Sequence, residues 1–174
     1  MTTPPSWTHW FDRLRAAAPH CFMQLASIGE QGPRLRTLTL REHHGDTLWF
    51  TTDTRSVKAS HLADDPRAEA CWYDLTSRVQ WRFAGRVDFL TRERHAEHCQ
   101  RLWDRLDEQA RARFNGPPPG SPWHGEPTPA GATPTAHFAL LRLTVHNVDV
   151  LELACTPHRH WFYRGEQAPR RLVP

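Results

Sequence analysis

No two of the cysteines in this 174-residue chain are spaced CxxC. That removes the usual dithiol and zinc-knuckle readings. Cys21, Cys71, Cys99 and Cys155 sit mostly inside apolar segments and read as buried, reduced thiols. No apolar run approaches membrane length, and the opening MTTPPSWTHW has no leader pattern, so the expected location is the cytoplasm. GxGxxG is absent, so a Rossmann cofactor site is not expected, and a nicotinamide would visit only as a substrate. The basic residues form no block. They alternate with acidic ones, and the net charge is only +3, which argues against a nucleic-acid partner. No Ser-His-Asp set is indicated by spacing. His95, His98 and Cys99 share a helix face at i, i+3 and i+4, but no fourth ligand is in view, so no metal is expected.

What is present is a chain of single-domain length, 1–174, with a mildly basic pI of about 8.9. Arginine dominates lysine, and its planar fork suits phosphates and carboxylates. Residues 6–19 (SWTHWFDRLRAAAP) read as an amphipathic helix capped by Ser6, with Trp7, Trp10, Phe11 and Leu14 on one face. His20–Ile28 and Leu35–Arg41 read as strands around the GEQGP turn, and EHHGD sets up a hairpin from 35–41 to 47–52. A second hairpin, 67–75 with 78–90, turns at Thr76-Ser77. In its long second strand Val79, Trp81, Phe83, Val87 and Phe89 face one way, and Arg78, Gln80, Arg82, Arg86 and Asp88 the other. The spacing of Ala96, Cys99, Leu102, Trp103, Leu106, Ala110 and Phe114 predicts one long helix over 92–114. A Pro/Gly-rich loop follows at about 115–136. HFALLRLTVHNVDVLEL reads as two strands bent near His146-Asn147, and an aromatic strand ends the chain. The fold class is mainly β, a split barrel of roughly six to eight mostly antiparallel strands with peripheral helices.

The stretch that carries chemistry runs from Thr51 to Lys58. Thr51, Thr52, Thr54 and Ser56 supply hydroxyls, Arg55 and Lys58 supply charge, and the start of a short helix adds oriented N–H groups. Together these make an anion site. On an ideal strand Arg36 and Arg41 face opposite ways, so they serve one ligand only if the strand bends.

The order of these features resembles the pyridoxamine 5′-phosphate oxidase-like flavoproteins, which are FMN-binding split barrels. The resemblance rests on Pro33–Arg41 (P-x-x-R-T-x-x-x-R), Thr52–Lys58 (T-D-x-R-S-x-K), the Pro/Gly-rich segment and the ending VLEL…HRHWFYR. It implies FMN at the interface of a homodimer. Arg36, Ser56 and Lys58 would hold the phosphate. Thr51 and Thr52 would contact the phosphate, ribityl chain or ring edge. Gln80 would reach the ring from the neighbouring subunit, and Arg159 would lie near it. The cofactor-binding set expected on this basis is Arg36, Thr37, Leu38, Arg41, Thr51, Thr52, Arg55, Ser56, Lys58, Gln80 and Arg159.

The chain also departs from the oxidase proper. Ser56-Val57-Lys58 replaces a Ser-Arg-Lys run, with Arg55 the expected compensation. Glu152-Leu153-Ala154 replaces a glutamate-aromatic-tryptophan stretch. His158-Arg159-His160-Trp161 replaces the Arg-Leu-His-Asp-Arg substrate motif. FMN binding is still expected; oxidation of pyridoxamine phosphate is not. Three readings stand: an FMN-dependent oxidoreductase on a small substrate, a non-catalytic flavin-binding module, or a split barrel taking another anionic cofactor such as haem or a deazaflavin.

Overall fold

Short two-residue turns fold the first half of the chain back on itself. Glycines take the positive φ at these hairpins, +54° within the Gly45-Asp46 turn and +107° at Gly32, the residue that follows the Glu30-Gln31 turn. The computed structural model describes residues 16, 21–123, 125, 129, 131–165 and 167–174. The amphipathic helix read at Trp7, Trp10, Phe11 and Leu14, and the strand start at His20, lie outside them.

The strands are β1 (Phe22–Gly29), β2 (Gly32–His44), β3 (Thr47–Asp53), β4 (Arg67–Asp74), β5 (Val79–Thr91), β6 (Phe138–Glu152), β7 (Arg159–Arg164) and β8 (Arg170–Leu172). The helices are α1 (Val57–Asp64), α2 (Ala96–Asp104) and α3 (Glu108–Ala112). The sheet order is β3-β2-β1-β4-β5-β6-β7-β8, and a further β3–β6 pairing closes the first six strands into an antiparallel barrel. The expected split barrel is what the chain forms.

Two cores follow from the alternation of side chains. Inside the barrel lie Met23, Leu25, Leu48, Phe50, Phe83, Leu141 and Leu143, with Trp72 and Trp81 stacked across β4 and β5 at 4.6 Å. On the outer side of β3, β5 and β6 a second cluster joins Trp49, Leu90 and Leu140 to Cys99, Leu102, Trp103 and Leu106. The start of β6, Phe138 to Leu141, is therefore buried on both faces, which explains why it reads as an unbroken apolar run.

Two expectations need correction. The 138–152 region is one strand, because β5 pairs with it from end to end. The bend expected near His146-Asn147 is a β-bulge: Ala84 pairs with Asn147 and Gly85 with Val145, which leaves His146 as the extra residue. The helix expected over 92–114 is two helices. Asp107 breaks the run and caps α3, its Oδ1 accepting the Ala110 N–H at 2.7 Å. Arg111 then takes up the freed carbonyls of Trp103 and Asp104 at 3.0 and 2.9 Å.

At the bulge, Gly85 lies flush against β6. A Cβ built on it would stand 1.9 Å from the Thr144 carbonyl oxygen. Gly85→Ala is expected to destabilise the fold by about 2–4 kcal/mol, at or above the usual overpacking cost, with urea unfolding as the measurement.

Candidate functional site

The inner face of β2 carries a charge where an apolar residue would be expected. Arg36 pairs with Leu25 and so faces the barrel. Its Nη1 donates to the Leu25 carbonyl at 3.1 Å and to Ser27 Oγ at 2.8 Å. Ser27 is buried. It breaks the apolar alternation of β1, a signal that sequence reasoning passed over.

Beside Arg36 the chain leaves β3 and enters α1. Ser56 holds the N-cap position in extended backbone, no side chain caps the helix, and its first turn has no acidic residue. The dipole and opening N–H groups of α1 are thus left for an anion. Ser56 donates its N–H and Oγ to the Asp53 carbonyl at 3.1 and 2.7 Å. Lys58 Nζ donates to Ser56 Oγ at 2.9 Å. Lys58 is the only lysine in the sequence. Burial lowers its pKa, the nearby Arg36 lowers it further, and Asp53 pulls the other way. Burial likewise lowers that of Arg36. Among the described residues neither cation has a carboxylate within ion-pair distance. Two partly desolvated cations side by side, with Asp53 acting only from beyond ion-pair distance, offer an anion both charge and hydrogen-bond donors.

Not all the expected residues converge there. Thr52 is buried next to the turn, its Oγ1 donating weakly to the Asp53 carbonyl at 3.4 Å. Thr51 points the other way and is half-buried on the outer side. Leu38 packs against the barrel core, and Thr37 is exposed on the opposite face. Arg41 is the extra residue of a bulge, since Leu40 pairs with Phe50 and Glu42 with Trp49. The strand does bend there, but Arg41 turns toward Asp107 and Arg113 rather than toward Arg36. Its Nε is buried without a hydrogen-bond partner. The neighbouring Glu42 is gripped by His98 and Arg101 of α2 and by Arg105 just after it. His98 is thereby separated from Cys99, which is buried in the outer core.

Arg55, expected as a phosphate ligand, is committed elsewhere. Its Nε and Nη2 donate to the two oxygens of Asp53 at 3.0 and 2.6 Å, and Nη1 donates to the Gly116 carbonyl at 3.0 Å. The Asp53 contact raises the Arg55 pKa.

Gln80 lies on the outer face of β5, with β4 and β1 between it and β2. Its cross-strand neighbours are Tyr73 and Leu151, and His160 follows beside Leu151. Three strand spacings of roughly 4.8 Å and the barrel wall separate it from Arg36. Arg159, at the start of β7, is half-exposed and stands 3.7 Å from Glu152 Oε2. Asp149 binds His160 Nε2 at 2.6 Å and Arg82 at 3.1 Å. The expected residues thus fall into two separate groups: Arg36 and Lys58 beside the turn, and the outer-face surroundings of Gln80.

A split barrel with two cations beside a helix start defines a class of protein with charge and donors suited to an anion. The family described as pyridoxamine 5′-phosphate oxidase, FMN-binding domain, matches residues 4–91. The chain is 30% identical over 145 residues to pyridoxine/pyridoxamine 5′-phosphate oxidase 2 of Arabidopsis thaliana, covering 76% of this chain and 73% of that one. A pyridoxamine 5′-phosphate oxidase-related, FMN-binding protein of Nostoc punctiforme is 32% identical over the whole of both chains, with a TM-score of 0.83. PhzG from Burkholderia lata shares the fold at 18% identity, covering 98% of this chain and 94% of that one, with a TM-score of 0.76. The chain belongs to the pyridoxamine 5′-phosphate oxidase FMN-binding family.

Because Lys58 is the only lysine, its titration can be read directly. Acylation at Lys58, followed by peptide mass spectrometry, is expected to show a midpoint below the ordinary 10.5, and Arg36→Gln to move that midpoint upward by removing a repulsive neighbour.

Proposed function

We propose that the protein is an FMN-binding oxidoreductase that acts, as a homodimer, on a small substrate. The observation that carries the reading is the Arg36–Lys58 pair, two part-buried cations beside the start of α1 with, among the described residues, no carboxylate within ion-pair distance of either. A dianionic phosphate matches that set in charge and in hydrogen-bonding donors. Arg36, Lys58, Thr52 and the opening N–H groups of α1 would hold it. Bound FMN supplies two-electron redox chemistry at its ring. The chain contributes grip, orientation and the exclusion of water.

Gln80 supports the dimer. The barrel wall separates it from the turn of its own chain, so the ring contact that the family resemblance implies for it would come from a second copy. The outer face that carries it also exposes large apolar side chains. Phe22 (57% exposed), Ile28 (47%), Leu35 (68%) and Tyr73 (38%) share that side of β1, β2 and β4. A groove of about 510 Å³ lies beside them, lined by Ile28, Pro33 and Ala84 together with Arg67, Glu69 and Arg86. Exposed apolar side chains set among charged ones are the composition of an association surface, and they stand on the same face as Gln80.

The first check is colour: the purified protein is expected to bind FMN at one per protomer, and a protein that gives no FMN titration signal overturns the reading. Lys58→Ala is expected to weaken FMN by roughly 1.5–3 kcal/mol, about 10- to 150-fold in Kd, by fluorescence titration. In the wild type, affinity is expected to fall as pH rises through the lowered Lys58 pKa, because the phosphate then loses a cation. Lys58→Arg removes that alkaline loss. Leu35→Asp places a charge on the apolar face and is expected to give a monomer of low FMN affinity, by analytical ultracentrifugation and titration.

A further inference from the structure

The segment between α3 and β6 leaves the helices and rejoins the sheet on a single short piece of chain, the turn that carries the anion site. On the outgoing side, Arg55 donates from Nη1 to the Gly116 carbonyl at 3.0 Å and from Nη2 to that of Phe114 at 3.5 Å. On the returning side, the Thr54 N–H donates to the His137 carbonyl at 2.9 Å. The two sides are also tied to each other. Thr135 Oγ1 donates to the Phe114 carbonyl at 3.3 Å, and the Phe114 and Phe138 rings meet edge to face at 4.9 Å.

Arg55 turns its other donors inward. Nε and Nη2 take the two oxygens of Asp53, and the Arg55 backbone N–H takes Oδ1 again at 2.8 Å. Asp53 is buried, so its carboxylate depends on this partner. The Asp53 carbonyl fixes Ser56, and Ser56 Oγ receives Lys58. Two sets of hydrogen bonds therefore meet at Asp53: its carboxylate is tied through Arg55 to the Phe114 and Gly116 carbonyls, and its backbone carbonyl through Ser56 to the Lys58 ammonium.

We propose that Arg55 is a positioning residue that couples the setting of Ser56 and Lys58 in the anion turn to the feet of the α3–β6 segment. Anion binding at Arg36 and Lys58 then orders Phe114 to Gly116, and firm feet tighten the anion site by the same factor, as linkage requires. The identity of the anion rests on the FMN reading; the coupling does not. The guanidinium is needed for its shape. It spans a carboxylate on one side and two carbonyls on the other, which a lysine cannot do.

The test is amide hydrogen exchange on the full chain, wild type against Arg55→Lys. The double variant D53N/R55Q, which leaves no buried charge unpaired, guards against misfolding of the single one. In ligand-free protein both variants are expected to exchange about tenfold faster at Ser56 and Ala59 and also at Phe114 and Asn115, the factor for losing one or two charge-assisted hydrogen bonds. Lys58 acylation is expected to change with them. With FMN at saturation, wild type is expected to gain protection at Phe114 and Asn115, and both variants to lose that remote gain while still holding FMN. If the variants loosen the feet alone and leave the turn amides and Lys58 reactivity unchanged, the coupling is wrong. Remote protection that survives in them overturns it too. Should wild type take no FMN, the cofactor reading falls, and the ligand-free comparison still decides the coupling.

Discussion

The β3–β6 pairing is the constraint on which the rest depends. It runs from Thr47 opposite Thr144 to Asp53 opposite Phe138. Without it the sheet would be an open ribbon with a free edge at β3. With it, Leu48 and Phe50 face a sealed interior, while Trp49 and Leu140 are pushed outward against α2. The seam also ends where the anion turn begins. Asp53 is at once the last paired residue of β3, the partner of Arg55 and the anchor of Ser56. Closing the barrel and shaping the site are thus one event, which is why a short polar turn can hold two cations close together against their repulsion.

β6 makes this possible by serving three partners. It pairs with β5 throughout, with β3 over its first half and with β7 over its second. The change of partner falls at the His146 bulge, and Val148 and Val150 of the second half still face the barrel core. That half carries Leu151 to Gln80 and His160 to Leu151. The cation turn and the Gln80 platform consequently stand at opposite ends of one strand. On the proposed flavin reading, one ligand that used both would draw them from two chains.

Much of this was legible in the residues because period-2 alternation is a local signal. The alternation of β5 announced its buried face, and the T-D-x-R-S-x-K run announced the turn. What stayed hidden depends on contacts distant in sequence. Arg55 looked like a ligand because it is a cation in an anion turn. Its actual partners include Gly116, sixty residues on, and no window around 55 contains them. Arg41 was placed by strand parity, and a bulge suspends parity. The helix over 92–114 kept its apolar spacing across a break, because α2 and α3 both lean on the same cluster. There the signal was Asp107, a good N-cap in mid-run. Ser27 was visible as a polar residue on an inward position, but only pairing with β2 shows that Arg36 is the reason.

The same accounting separates the cofactor from the reaction. In the turn, Asp53 and Arg55 cancel, and Arg36 and Lys58 remain uncancelled. Two positive charges in a part-buried place are a demanding specification, and few common ligands meet it as well as a phosphate monoester. Around Gln80 the charges cancel one another. Asp149 binds both His160 and Arg82, and Glu152 holds Trp161 Nε1 at 2.9 Å with Arg159 beside it. A neutralised platform selects by shape and by the two-faced amide of Gln80 rather than by net charge. On the dimeric flavin reading, a small substrate would therefore be discriminated by the contour that Leu151, His160 and Tyr73 give the platform. Contour is a product of packing that sequence pattern encodes far less directly than charge, so the cation pair could be read from the chain and the shape around Gln80 could not.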